Sequence, residues 1–493
     1  MPREVRPFYF QNRLPFTRVV GGRFGRIVIY TNATEITREN VVNELSQAMT
    51  LHNFNAKAIT YLDRYYRGDQ PILYRKKEVR DEINNRVVEN HAIEIVDSKV
   101  ADIFGEPVQY AAHGDASMDT VGMIRELNNY MDSEDKAMVD ISHGKWASIC
   151  GTSYVFVGNR NRLSDAFDES PFYLKSEDPA NTFVCYFADD YTPAFSCQIR
   201  MDSEGNVFNF VYTNTHWYRI AEGQILEQGV NGNGMIPVIE YPNNERRLSD
   251  IEITITMTDE LNKMQSDRMN GIEQFVQALM LFKNCEISED KFLEMCKMGA
   301  VSIKTTTAGY DADVKMLSSE LNQTQTQTAK DDVYKNLLIV QGKPGREESS
   351  GGDTGQAVVL RNGYYDEDKR AELRIPLFKK CERLMLRCVL NKLRVASGGK
   401  FNLRITDIDI KPKRSKLENM MVKAQVLQIL HQIGVDDADA LKTVNLFSDV
   451  TSVYAASKDR MARQFDYSVG QGTTVEELPD IDANASTDRI IAS

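Results

Sequence analysis

The apolar positions of the chain follow two periods. Over 38–67 they recur at Val41, Leu45, Ala48, Leu62 and Tyr65–Tyr66, the spacing of an amphipathic helix. Thr37 is placed as its N-cap, Ile36 and Val41 as a hydrophobic staple, and Gly68 as its stop. The helical period returns over 81–104, where Val87, His91, Ile95, Val100 and Ile103 fall near one face and Gly105 and Pro107 end it. A third helical region covers 119–148. From Gly151 the period becomes two. Tyr154–Val157, Phe183–Phe187, Phe195–Met201, Val207–Tyr212 and Trp217–Ile220 are short, β-branched or aromatic, and separated by turn residues such as Asp202–Asn206. They predict an antiparallel meander set between helical regions.

A long helix is predicted over 250–283, with Met257, Leu261, Met264, Ile272, Phe275 and Leu279 as its apolar stripe. Two short strands, Ala300–Lys304 and Ala312–Leu317, flank a turn at Gly309. In Asn322–Thr328 the strict Gln/Thr alternation fits a strand, whereas Ala329, Val333 and Leu337 continue at helical spacing. Pattern leaves both open there. Residues 341–355 combine glycines, Pro344 and paired serines, which marks a flexible loop inside the chain. One helix is then predicted over 354–397, with Leu373, Leu377, Cys381, Leu384 and Cys388 in a stripe and Pro376 as a kink. At 1.5 Å per residue it would be about 65 Å long, a reach suited to a subunit that crosses an assembly. A strand near 401–410 and helices over 415–433, 437–446 and 451–465 complete the reading.

Composition narrows the class. The chain has 493 residues, 42% of them hydrophobic and 26% charged, which predicts about three globular domains. Apolar runs such as Ala278–Phe282 fall far short of the about 20 residues of a membrane span. The first residues lack the apolar stretch of a signal peptide, so a cytoplasmic origin is expected. The net charge of −12 argues against gripping nucleic acid through a broad basic face, and leaves room for a surface past which it slides. The charge is uneven. Residues 1–34 carry six arginines against Glu4, with Phe8, Tyr9, Phe10, Phe16 and Phe24 interleaved. They read either as an arm that binds a neighbouring subunit or nucleic acid, or as a free tail. Residues 466–493 carry a net charge of −5 and are expected to be mobile.

Enzyme signatures are missing. Gly342-Lys343 is followed by Pro344, so there is no phosphate loop. The six histidines never fall at zinc spacing, and the seven cysteines form no Cys-x-x-Cys pair. The thiols are expected to be reduced. Asp480-x-Asp482-x-Asn484 starts like a calcium loop and fails at Ala485 and Ile491. No catalytic residue, cofactor or metal is expected.

Several stretches, in order, carry a family resemblance. They are Tyr65–Ile72, Asn84–Val88 with Asn90, Ile95–Val100, Phe104–Pro107 and Gly151–Tyr154. Next come Ile236–Glu245, Ser249-Asp250, Asp259, Asn262, Ser266-Asp267 and Asn270. Over about 35–375 the chain resembles portal proteins of tailed double-stranded DNA bacteriophages, of the long non-contractile-tail type. The resemblance implies an α+β, mainly α fold with wing, stem, clip and crown, closed into a ring of about twelve subunits. It places the wing at 35–249 and 353–412, stem helices at 250–275 and 321–340, the clip at 276–320 and the crown at 413–493. It makes the Gln/Thr segment the start of a stem helix. The loop 341–352 would be the tunnel loop, with Lys343, Arg346, Ser349 and Ser350 facing the duplex. For the two cations, pairing with Glu347 and Glu348 is the alternative. The implied setting is the portal vertex of the virion, reached by assembly in the host cytoplasm. The implied partners are double-stranded DNA, the terminase large subunit, major capsid and scaffolding proteins, and a head-tail connector or adaptor, with no membrane. A minor head or connector protein is the competing structural reading, and a phage DNA-processing enzyme the competing catalytic one.

Overall fold

A computed structural model describes residues 25–78, 81–113, 117–160, 170–276, 279–283, 288, 290–291, 313–317, 323–343, 364–412, 420–444 and 454. Its internal contacts distinguish two units, Met1–Lys416 and Leu417–Ser493. In the first, strand β1 (Ile29–Thr31) precedes helices α1 (Val41–Tyr66), α2 (His91–Phe104), α3 (Met118–Ser133) and α4 (Lys136–Cys150). Strand β2 (Gln109–Ala112) lies between α2 and α3. The period-two region follows as β3 (Thr152–Asn159), β4 (Phe172–Glu177), β5 (Thr182–Phe187), β6 (Pro193–Met201), β7 (Val207–Tyr212), β8 (His216–Ala221), β9 (Gln224–Val230) and β10 (Val238–Pro242).

These strands form two sheets. The larger has the order β1-β5-β6-β7-β8-β9, antiparallel throughout except that β1 runs parallel to β5. The smaller has the order β10-β3-β4. Side chains alternate across a strand, and β3 uses both faces. Tyr154 and Phe156 enter the core shared with the larger sheet and α1. Val155 and Val157 enter a second core. A strand buried on both faces reads as a continuous apolar run, as Tyr154–Val157 does.

The expected helix over 81–104 is α2 alone. Residues 85–89 instead run along a later helix, α5 (Asp250–Val276), which offers a row of polar side chains four residues apart. Asn270 Oδ1 accepts from the Asn85 amide at 2.7 Å, Ser266 Oγ from the Val87 amide at 2.9 Å, and Asn262 Oδ1 from the Glu89 amide at 2.7 Å. These bonds give an extended backbone the partners a helix would have supplied internally. The region 119–148 is likewise two helices, broken where Asp135 takes a left-handed φ of 48°.

After α5 the short strands β11 (Leu279–Lys283) and β12 (Asp313–Leu317) pair antiparallel. The expected strand Ala300–Lys304 lies outside the described residues. Helix α6 (Gln323–Gln341) returns along α5, so the Gln/Thr segment is helical. Leu261, Leu337 and Leu338 are buried between the pair, together with Ile95 of α2. The single kinked helix expected over 354–397 is two helices, α7 (Tyr364–Glu372) and α8 (Ile375–Ala396), and residues 354–363 lie outside the described set. Pro376 stands in the first turn of α8. There its missing N–H costs no helical hydrogen bond, so it starts a helix instead of bending one. Strand β13 (Ile408–Lys411) pairs with β2. In the second unit, α9 (Met420–Gln432) meets α10 (Asp437–Val444), with His431 Nδ1 2.6 Å from the Asp437 carboxylate.

The core around α8 encloses charge. Glu382 is fully buried. It accepts hydrogen bonds from the hydroxyls of Tyr110 and Tyr241, the latter at 2.7 Å, and pairs with Lys136 at 3.0 Å. Lys136 also bridges to Asp140, which His143 Nε2 approaches at 3.0 Å. The cluster ties β2, α4, β10 and α8 together. Its pieces are costly to leave unpaired. Glu382→Ala should therefore lower the unfolding free energy by about 3–5 kcal/mol in urea titration. A loss below about 1 kcal/mol would show that the cluster relaxes without it.

Candidate functional site at the root of the glycine-rich loop

The described residues that flank the glycine-rich stretch are Lys343 before it and α7, from Tyr364, after it. Both rest on one cluster of side chains, whose centre is the first turn of α5. Ser249-Asp250-Ile251-Glu252 closes that turn as a capping box. Ser249 Oγ accepts from the Ile251 amide at 3.0 Å, and Glu252 accepts from the Ser249 amide at 2.6 Å. Glu252 also forms a buried ion pair with Arg26.

Asp250 is the pivot. Its carboxylate is 1% exposed. Arg374, in the turn between α7 and α8, donates to it at 2.5 and 3.3 Å, and Ser148 of α4 donates at 2.7 Å. The helix N-terminus adds favourable potential for the negative charge. Burial pushes this carboxyl up, and Arg374, Lys99 and Ser148 more than offset it, so its pKa stays below the ordinary aspartate value. Gln341, the last residue of α6, donates from Nε2 to the Asp250 carbonyl at 2.7 Å and to Thr254 Oγ1 at 2.8 Å. Its own carbonyl accepts from Lys99 Nζ. The end of α6 is thus read against the start of α5.

Helix α6 ends in a Schellman arrangement. Gly342 adopts φ +68°, its amide donates to Ile339 O at 3.0 Å, and the Lys343 amide donates to Leu338 O at 2.9 Å. Lys343 then turns inward. Its ammonium pairs with Asp102 of α2 at 2.8 Å and with Glu367 of α7, and its side chain is 9% exposed. Arg370 of α7 donates to Val340 O at 3.2 Å. Lys343–Glu367 and Arg370–Val340 therefore clamp the end of α6 to α7, on the two sides of the glycine-rich stretch. A cleft of about 850 Å³ opens beside the clamp, lined by Lys99, Asp102, Asp250, Gln341, Arg370 and Arg374 among others.

Of the four expected duplex-facing residues, Lys343 is described, and the structure engages it with Asp102 and Glu367. Arg346, Ser349 and Ser350 lie outside the described residues, as do Glu347 and Glu348 of the alternative pairing. So do residues 1–24 of the basic arm expected over 1–34, most of the expected clip, and the acidic tail from 466 onward. The roles of Asp250, Gln341 and Arg374 were not foreseen, although Ser249-Asp250 stood out as part of a familiar stretch. The Ser-x-x-Glu spacing over 249–252 is a capping signal legible in the sequence. The long-range partners left none.

Lys99 makes the clamp sensitive to pH. Burial lowers its pKa, the Arg374 charge lowers it further, Asp250 opposes both, and the result is about 8 against an ordinary value of 10.5. Between those values the unfolded chain holds a proton that the folded chain has released, so stability rises with pH across the interval. Lys99→Met removes this contribution. Urea unfolding at about pH 7.5, 9 and 10 should show wild type gaining on Lys99→Met as pH rises. A difference that stays constant with pH would contradict the assignment.

Comparison with known proteins places the chain. The family model described as phage portal protein, SPP1 Gp6-like, matches residues 50–462. The portal protein of Bacillus phage SPP1 is 26% identical over 172 residues, covering 35% of this chain and 33% of that protein. The match thus spans about a third of that curated relative's length. Among solved structures, the neck of an empty gene transfer agent particle aligns at TM-score 0.42 and 11% identity, covering 79% of this chain and 94% of that one. The virion of a native gene transfer agent particle aligns at TM-score 0.41 and 12% identity, covering 79% and 93%. The family match extends from within α1 to beyond α10 and includes every element of the loop clamp, and on that ground the chain belongs to the SPP1 Gp6-like family of phage portal proteins.

Proposed function

We propose that this portal subunit closes into a ring of about twelve copies at one capsid vertex and lines a channel through which double-stranded DNA is packaged and later ejected. Heterologous contacts, the same two unlike faces repeated around an axis, would close the ring. In this reading α5 and α6 are the stem, 276–320 is the clip that meets the terminase large subunit and later a head-tail connector, and 413–493 is the crown. The wing, 35–249 with 353–412, would meet the major capsid and scaffolding proteins. The subunit performs no chemistry, and the packaging motor supplies the energy.

The observation that carries this reading is the double clamp on the loop. The sequence between Lys343 and α7 is rich in glycine, a residue with wide backbone freedom, and the described residues on its two sides are held at one end of the α5–α6 pair. Such a segment can follow a moving helical polyanion while its roots stay in place. Charge agrees with passage over capture. A duplex carries one charge per about 1.7 Å of its axis, and a surface that neutralised many phosphates would hold it. The chain is net acidic at −12, and the loop 341–352 has Lys343 and Arg346 as its cations. Arg346, Ser349 and Ser350 would face the duplex. Lys343 fastens the root, and a phosphate reaches its ammonium only in competition with Asp102 and Glu367.

The test replaces Lys343 and Arg346 together by Ala in the full chain and follows packaging in phage particles. Rings should assemble as in wild type, while packaged DNA length or yield changes. Normal length and yield would remove both cations from the mechanism.

A further inference from the structure

Away from the loop clamp, the outer face of α8 is basic. Lys380, Arg383, Arg387 and Arg394 are all exposed. At 100° per residue they fall on one stripe about 60° wide and about 21 Å long. The one carboxylate of α8 past its first turn is Glu382, and it points into the core. Arg387 and Arg394 form no ion pair with any described residue. On a chain of net charge −12, a stripe of unneutralised arginines stands out.

The lower half of the stripe opens into a groove of about 480 Å³. Arg387 and Arg394 form one wall, and Arg404, exposed on the chain that leads to β13, stands on the other. No carboxylate lines it, and the part-exposed Met235 and Ile405 make part of its surface apolar, over the buried Leu390 and Leu403. The groove is built. Its third side is the turn 231–235, held by Asn231, which donates to the carbonyls of Thr213 at 2.7 Å and Met235 at 2.9 Å. That turn is in turn fixed to α8, since Asn391 donates to Asn233 O and Lys392 Nζ to Asn233 Oδ1 at 2.8 Å. Helix α8 stops just beyond through Gly398 and Gly399, both with positive φ.

We infer that this groove is a docking site for an acidic polypeptide segment of a partner protein, one that presents carboxylates to Arg387, Arg394 and Arg404 and apolar side chains to the floor. Guanidinium forks match carboxylates in a planar, two-bonded geometry. Arg387 and Arg394 are two helical turns apart, about 10.5 Å, which sets the spacing of the two anions they can take. A duplex fits less well. Its phosphates stand on a convex, hydrated cylinder and meet protruding cations, and they offer nothing to cover an aliphatic floor. An acidic peptide brings both chemistries on one chain. The inference does not depend on the channel reading, and it concerns a different face of the subunit.

The test uses the full-length protein and a fluorescein-labelled peptide of repeated Glu-Leu-Glu units, followed by fluorescence anisotropy. The peptide should bind, the same peptide with Gln in place of Glu should not, and added salt should weaken binding. Arg387→Gln with Arg394→Gln should weaken it about tenfold or more, and Arg404→Gln alone should weaken it measurably. Arg383→Gln, on the same stripe outside the groove, should change it by less than about threefold. Circular dichroism and melting of each variant should match wild type. Equal peptide binding by the double variant would overturn the inference. A short labelled duplex that binds more tightly than the peptide and is lost in the double variant would reassign the groove to nucleic acid. A change in self-association in the double variant would reassign it to a second copy of this chain.

Discussion

The pairing of buried Asp250 with Arg374 is the constraint on which the functional part of the structure depends. Asp250 begins α5, and Arg374 sits in the turn that separates α7 from α8. Taking the Asp250 carboxylate out of water is expensive, and removing Arg374 would leave it stranded at a cost of about 3–5 kcal/mol. Their pairing therefore fixes where two distant segments meet. Gln341 reads the backbone of the same Asp250 turn, so the end of α6 is set by the start of α5. The polar groups there are mutually satisfied, which is the condition for a buried network to rigidify what it joins.

On the proposed reading, that rigidity is what a channel loop would need at its base. A loop whose ends wandered would vary in reach from subunit to subunit. Here the departing residue Lys343 and the returning helix α7 are tied through Glu367, and Arg370 closes over the Val340 carbonyl. The second buried network, around Glu382, serves the layer behind, where α8 holds β2 and β10. The α5–α6 pair sits on this base through α2, whose Lys99 and Asp102 both reach the loop root.

Much of this architecture was legible from period alone. The helical spacing at Val41, Leu45 and Ala48 and the apolar run of Tyr154–Val157 map onto α1 and β3. Where reading failed, a distant partner had overridden a local pattern. Residues 85–89 have helical spacing, yet Asn262, Ser266 and Asn270 draw them out straight from more than 170 positions away. Strand β9 went unseen because it is an exposed edge with Glu227 and Gln228 on it and no apolar alternation. Pro376 was legible as a breaker but not as a starter, since that depends on where the preceding helix ends. At the loop root, Lys343 could be picked out by eye. Asp102, which holds it across 241 positions, could not.

The central claim is that these subunits assemble into an open ring, and axial views of the purified full-length protein by negative-stain electron microscopy test it most directly. The account predicts class averages showing rings of about twelve subunits around an open centre, closed by repeated heterologous contacts. Monomers or dimers across a range of salt concentrations, with no closed rings, would contradict it.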